Sequence, residues 1–132
     1  MISQSFRAEW SPRMLSILRI VVGLLFLQHG LSKYFGFPAP SPASFQVFGF
    51  LGLAGAIEIV ASVLVTIGLF TRAAAFIASG EMAVAYFMVH FPKSFFPLVN
   101  GGDAAVLYCF VFLFLAVAGG GIWSIDAARS QG

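Results

Sequence analysis

Residues 45–90 read FQVFGFLGLAGAIEIVASVLVTIGLFTRAAAFIASGEMAVAYFMVH. Two long apolar runs are parted here only by Thr71-Arg72, and each holds a single acid, Glu58 in the first and Glu81 in the second. A helix that crosses a bilayer needs about 20 predominantly apolar residues. The two runs approximate that length, and so short a break between them predicts an antiparallel hairpin with spans over residues 45–70 and 73–90.

The pattern repeats on both sides of this hairpin. Upstream, residues 14–34 form another apolar run, followed by FGFPAPSPAS at 35–44, whose three prolines remove donors and mark a loop. Downstream, FPKSFFPLVNGG at 91–102 is a second loop, and residues 103–118 form the last apolar run before Gly119-Gly120-Gly121 and a polar tail. Arg7 and Arg13 precede the first run as in a signal peptide, but Arg19 interrupts it and Gln28-His29-Gly30 stands where a small-residue cleavage site is wanted. The first helix is therefore expected to remain uncleaved.

Of 132 residues, 60% are hydrophobic and 9% charged, with a mean hydropathy of +0.97. A soluble domain carries about 25% charged residues. The composition excludes a disordered chain and an ordinary cytosolic enzyme. A net charge of +2 without a basic run gives no reason to expect nucleic acid as a partner. The single cysteine, Cys109, leaves no intrachain disulfide and no multi-cysteine metal site. The expected fold class is all-α: a transmembrane four-helix bundle forming one membrane domain over residues 1–132. Lys and Arg are retained on the cytoplasmic side. Arg7, Arg13, Arg72 and Arg129 fall on one side and Lys33 and Lys93 on the other, which places both termini in the cytoplasm. Small residues (Gly49, Gly52, Gly55 and Ala56, then Ala75, Ser79 and Ala83) mark where helix backbones approach closely.

Against this apolar background seven ionisable groups lie in or at the ends of the spans: Arg19, His29, Lys33, Glu58, Glu81, His90 and Asp103. Such groups cost at least ~2.5–3.5 kcal/mol at the bilayer centre and face other helices or a water-filled cavity. On an ideal helix Lys33 falls about 40° and His29 about 80° from Arg19, so span one carries the three on one side. Gly23 and Gly30 beside them admit a ligand or another backbone. Rises counted from Arg13 and Ala73 put Arg19 and Glu81 at comparable depth, with Glu58 mid-span, so Arg19, Glu58 and Glu81 are expected to form one buried network. One Arg against two acids leaves a charge over, to be met by a proton, water or a further cation. On the opposite half, His29, Lys33, His90 and Asp103 share a depth, and such donors beside an acid suit the two carbonyls and two protons of a quinone head group. Two histidines on separate helices also admit a bis-histidine haem. His90 lies about 180° from Glu81 on an ideal helix, so both point inward only if the end of span three unwinds near Pro92. Asp103 is placed to cap span four, and Ser124-Ile125-Asp126 to start a short helix. Cys109 sits in an apolar stretch where thiols are inert.

The order of these pieces resembles the DoxX family of small bacterial membrane proteins, over about residues 13–127. The pieces are Arg19, His29-Gly30-Leu31-Ser32-Lys33, Gly52 to Glu58, Gly68 to Arg72, His90-Phe91-Pro92, Gly102 to Tyr108 and Gly119 to Asp126. The Gly-Gly-Gly stands where the family often has proline. The resemblance implies a four-helix membrane bundle in the bacterial inner membrane and a link to redox metabolism. It suggests a subunit of a quinone-linked oxidoreductase, or a partner in complexes that handle thiol or oxidative stress, with quinone as cofactor and a redox partner protein. On that reading His29, Lys33, Glu58 and Glu81 carry the proton chemistry, and Arg19, His29, Lys33, His90 and Asp103 hold the ligand. The rival readings are a non-catalytic membrane anchor or assembly subunit, and a small transporter or proton conductor working as a homo-oligomer.

Overall fold

A computed structural model describes residues 1–131, and the described residues are all helical or irregular, without strands. Helix α1 spans Gln4–Phe35, α2 Phe50–Ile67, α3 Thr71–Ala85, α4 Pro97–Asn100, α5 Asp103–Ala118 and α6 Ile125–Gln131. Beyond α3 the same rod continues as a π turn, Tyr86–His90, and a 3-10 turn, Phe91–Lys93. Three rods are long and apolar enough to cross a membrane: Gln4–Phe35, Phe50–Ile67 and Thr71–Lys93. The 16-residue α5 is shorter, about 24 Å at 1.5 Å per residue.

Three boundaries differ from the sequence expectation. Helix α1 starts at Gln4 rather than residue 14, capped by Ser3, whose hydroxyl accepts from Phe6 N. At 32 residues it is about 48 Å long, more than the ~30 Å hydrocarbon core, so part of it stands beyond the apolar layer. Helix α2 starts at Phe50 rather than Phe45, because residues 45–49 close turns onto Pro42 and Gln46 carbonyls. The hairpin link is residues 68–70, not 71–72. Gly68 ends α2 in the left-handed region at φ 73°, where Gly68 N and Leu69 N both donate to Leu64 O. Phe70 is also left-handed, at φ 51°, and Thr71 already begins α3.

The helices pack as two antiparallel pairs, α1 with α2 and α3 with α5, joined chiefly through α2 and α3. Gly23 and Gly30 make the first pair possible. A Cβ at Gly23 would meet Thr66, and one at Gly30 would meet Gly55 O and Ile59. It is thus a backbone, not a ligand, that approaches these glycines. In the second pair Ala74, Ala75 and Ala78 are buried, and Ser79 Oγ donates to Cys109 O at 2.8 Å. Helices α1 and α5 meet mainly through Phe26, whose ring lies 4.8 Å from that of Phe112 and 5.3 Å from that of Tyr108. Large apolar side chains such as Leu24, Val60, Phe76, Phe110 and Val117 cover the outside, as expected of a surface whose solvent is lipid.

Candidate functional site

The polar side chains gather at two levels. The first is at the end of the bundle where the chain terminates. Arg19 is buried, with 1% exposure. Its guanidinium donates to the carbonyls of Gly120 and Trp123, and at 3.4 Å to that of Thr66. Ser16 Oγ donates to Gly120 O and accepts from Trp123 N. Gly121 lies so close to Ser16 that a Cβ there would clash. Asp126 Oδ1 and Oδ2 accept from Phe70 N and Thr71 N at 2.8 Å each, capping α3 from a distant part of the chain. Burial alone would raise the Asp126 pKa. These N–H donors, the Thr71 hydroxyl and Arg129 outweigh it and hold the carboxyl below its ordinary range.

Arg19 therefore contacts neither Glu58 nor Glu81, and the expected three-residue network does not form. The cause is the length of α1. Gly30 packs against Gly55 and Ile59, and Gly23 against Thr66, so Glu58 is level with Gly30. Arg19 is eleven positions, about 16 Å, from that level. Because α1 overhangs the bundle, Arg13 does not mark its point of entry, and Arg19 lies further from Glu58 than a count from Arg13 gives.

The second level is a cavity of about 400 Å³ between α1, α2, α3 and α5. Its wall includes His29, Lys33, Glu58, Glu81, His90 and Tyr108. Lys33 Nζ donates to Glu58 Oε1 at 2.8 Å, with side-chain exposures of 17% and 3%. Lys33, not Arg19, is thus the cation that pairs with Glu58. Both carboxyl oxygens of Glu81 are buried and accept no hydrogen bond, and its ionisable neighbours are the Glu58 carboxyl, within hydrogen-bonding reach, and Lys33. Two carboxyls thus lie near one ammonium, which is bonded to Glu58 alone. A proton or a ligand donor must balance the second.

His90 reaches the same cavity as Glu81 because of the π turn. A π turn inserts one extra residue into the helical ladder, which sets back every later side chain by about 100°. The 180° separation of an ideal helix falls to about 80°. The unwinding expected near Pro92 lies at residues 86–90, just before it. His90 Nδ1 is 3.1 Å from Asn100 O, and the buried Asn100 amide donates to Tyr86 Oη and Ser94 O. His29 stands at the seam of α1 and α5, its ring edge-to-face with Tyr108 at 5.6 Å.

Two of the expected ligand residues lie elsewhere. Arg19 belongs to the other level. Asp103 is exposed, and it is the first residue of α5 rather than its cap, which is Gly102. Its charge favours the helix N-terminus but does not reach the cavity wall. Sequence reasoning also passed over contributors. Tyr108 and Asn100 had no charge to single them out, and the pairing of Asp126 with α3 spans 55 residues.

The DoxX family model matches residues 14–91, more than half of the sequence. The chain belongs to the DoxX family. An uncharacterized protein of Haemophilus influenzae is 44% identical to this DoxX chain over 123 residues, covering 89% of the chain and 92% of that relative. An uncharacterized membrane protein of Mycobacterium tuberculosis is 29% identical over 140 residues, covering 94% and 85%. A Bacillus subtilis protein named "Putative oxidoreductase CatD" is 40% identical over 63 residues, covering 42% and 44%. No solved structure matches the chain. Family and helices together make this a multi-pass membrane protein in contact with the lipid bilayer.

Proposed function

We propose that this DoxX chain is a four-span inner-membrane subunit, termini in the cytoplasm, that binds a quinone head group in the α1/α2/α3/α5 cavity. There it exchanges protons for a membrane oxidoreductase. The observation that carries the reading is Glu81, whose buried carboxyl accepts no hydrogen bond and faces the Glu58 carboxyl, in a cavity that also holds the Lys33–Glu58 ion pair. A ligand pocket is mostly apolar with a few placed polar groups, in the range ~300–1,000 Å³, and this one conforms.

A bound quinone would supply two-electron chemistry coupled to the uptake or release of two protons. The chain's own residues have narrower tasks. Lys33, held by Glu58, is placed to donate to one carbonyl oxygen in a charge-assisted bond. Glu81 is placed to give or take a proton across the cavity. His29 and His90 flank it from two helices. Among the described residues no cluster of His, Cys, Asp or Glu could hold a metal ion, and in this reading a redox partner protein exchanges the electrons. The oxidoreductase name of the Bacillus subtilis relative points the same way for the 63 residues it shares. Arg72 and Arg129 stand at the same end as the two termini and Lys93 at the other. Lys33, the second lysine expected there, is bonded in the cavity. The basic excess supports cytoplasmic termini.

The test is reconstitution of the purified protein with titration of a ubiquinone analogue. Saturable binding that weakens in His29→Ala and Glu58→Gln is expected. Binding that is absent, or indifferent to both changes, would overturn the assignment.

A further inference from the structure

A second feature adjoins the cavity from outside. Between α2 and α3, on the lipid-facing side, runs an apolar groove in two continuous parts. One, of about 260 Å³, is bounded by Leu53, Ile57, Ile77, Gly80 and Val84 and ends at Glu81. The other, of about 320 Å³, continues past Ile57 and Ile77 to Leu64 and Ala74. Phe50, Ala54 and Glu81 belong both to the first part and to the wall of the central cavity. From Ala74 to Glu81 is about 10 Å along α3.

Gly80 is the informative residue. Glycine inside a helix costs about 1 kcal/mol relative to alanine, and it is tolerated where a close approach requires it. Gly23 and Gly30 meet that condition, because α2 packs on them. Nothing in this chain lies within 4 Å of a Cβ placed on Gly80. The space it leaves opens into the groove beside the Glu81 carboxyl. A polar cavity that shares Phe50, Ala54 and Glu81 with the wall of an apolar groove fits one class of molecule: a polar head with a single long hydrocarbon chain.

We infer that the α2/α3 groove seats the isoprenoid or alkyl tail of the molecule whose head occupies the cavity, with Gly80 setting the room for that tail. This rests on the quinone reading and narrows its substrate class to tailed, lipid-resident quinones that enter sideways from the bilayer. Lipid tails gain little from apolar burial in a membrane, so the tail contributes by fit to the groove.

Gly80→Leu tests this directly. The new side chain has open space, and leucine favours the helix, so folding is preserved. Purified wild type and Gly80→Leu are titrated with a tail-less dimethoxy-methylbenzoquinone and with its decyl derivative, and the oligomeric state of each is measured. The inference predicts that Gly80→Leu weakens the decyl compound about tenfold, roughly 1.4 kcal/mol, and leaves the tail-less compound unchanged. Equal effects on both compounds, or none on either, would overturn the groove while leaving the cavity reading intact. Failure of wild type to bind either compound would remove the quinone reading and the groove with it. A changed oligomeric state, or a phospholipid retained by wild type and lost in Gly80→Leu, would assign the groove to a second copy or to a structural lipid instead.

Discussion

At the scale of single residues, the cavity is defined by an imbalance: Glu58 and Glu81 against Lys33. Removing one partner of a buried ion pair leaves the other charge uncompensated and costs about 3–5 kcal/mol, whereas replacing both with apolar groups is often neutral. Lys33→Met should therefore lower the thermal unfolding midpoint in detergent sharply, and Lys33→Met with Glu58→Leu should recover most of it. Glu81→Gln behaves differently, since Glu81 accepts no hydrogen bond that the change would break. Its midpoint should stay close to wild type while proton-coupled turnover with the redox partner falls. These residues show what was legible in the sequence. All seven ionisable groups were visible as costly exceptions in apolar runs, and five of them line or complete the cavity. Their partners were not visible, because pairing depends on where α1 overhangs, and no local signal sets that register.

At the scale of elements, two short devices fix the geometry. The first is the capping of α3 by Asp126. Loss of a capping side chain costs about 0.5–2 kcal/mol, so Asp126→Ala should expose α6 to limited proteolysis sooner than the bundle. The pH dependence has a definite sign. Its folded pKa is depressed, so its stabilisation is fully present above the unfolded value of about 3.9 and is lost as pH falls through the folded value. Protection of α6 should decline over that acid window in wild type and stay flat in Asp126→Asn. The second device is the π turn at Tyr86–His90. Deleting the exposed Met88 should restore an α-helical ladder and carry His90 out of the cavity. Quinone titration should then resemble that of His90→Ala. Long apolar helices could be read from hydropathy, but a one-residue insertion in the ladder leaves no mark in composition, and only the conflict between Glu81 and His90 hinted at it.

At the scale of the molecule, the bundle is polar at two levels and apolar elsewhere. The Arg19 level ties the polar tail to α1 and α2 through backbone carbonyls, and Asp126 ties it to α3 by accepting from backbone N–H groups. The cavity level lacks such closure, and its unpaired groups face space rather than backbone. That contrast separates a structural knot from a binding site. It predicts that Arg19→Leu disrupts folding or tail attachment, while His29→Ala, outside the ion pair, folds normally and loses ligand. The most direct measurement is photolabelling of the reconstituted protein with an azido-quinone, followed by peptide mapping. The account predicts label on the cavity wall, in peptides containing His29, Glu81 or Tyr108, and competition by unlabelled quinone. Label spread over the outer lipid-facing surface, around Phe110 and Val117, and insensitive to competitor would contradict it.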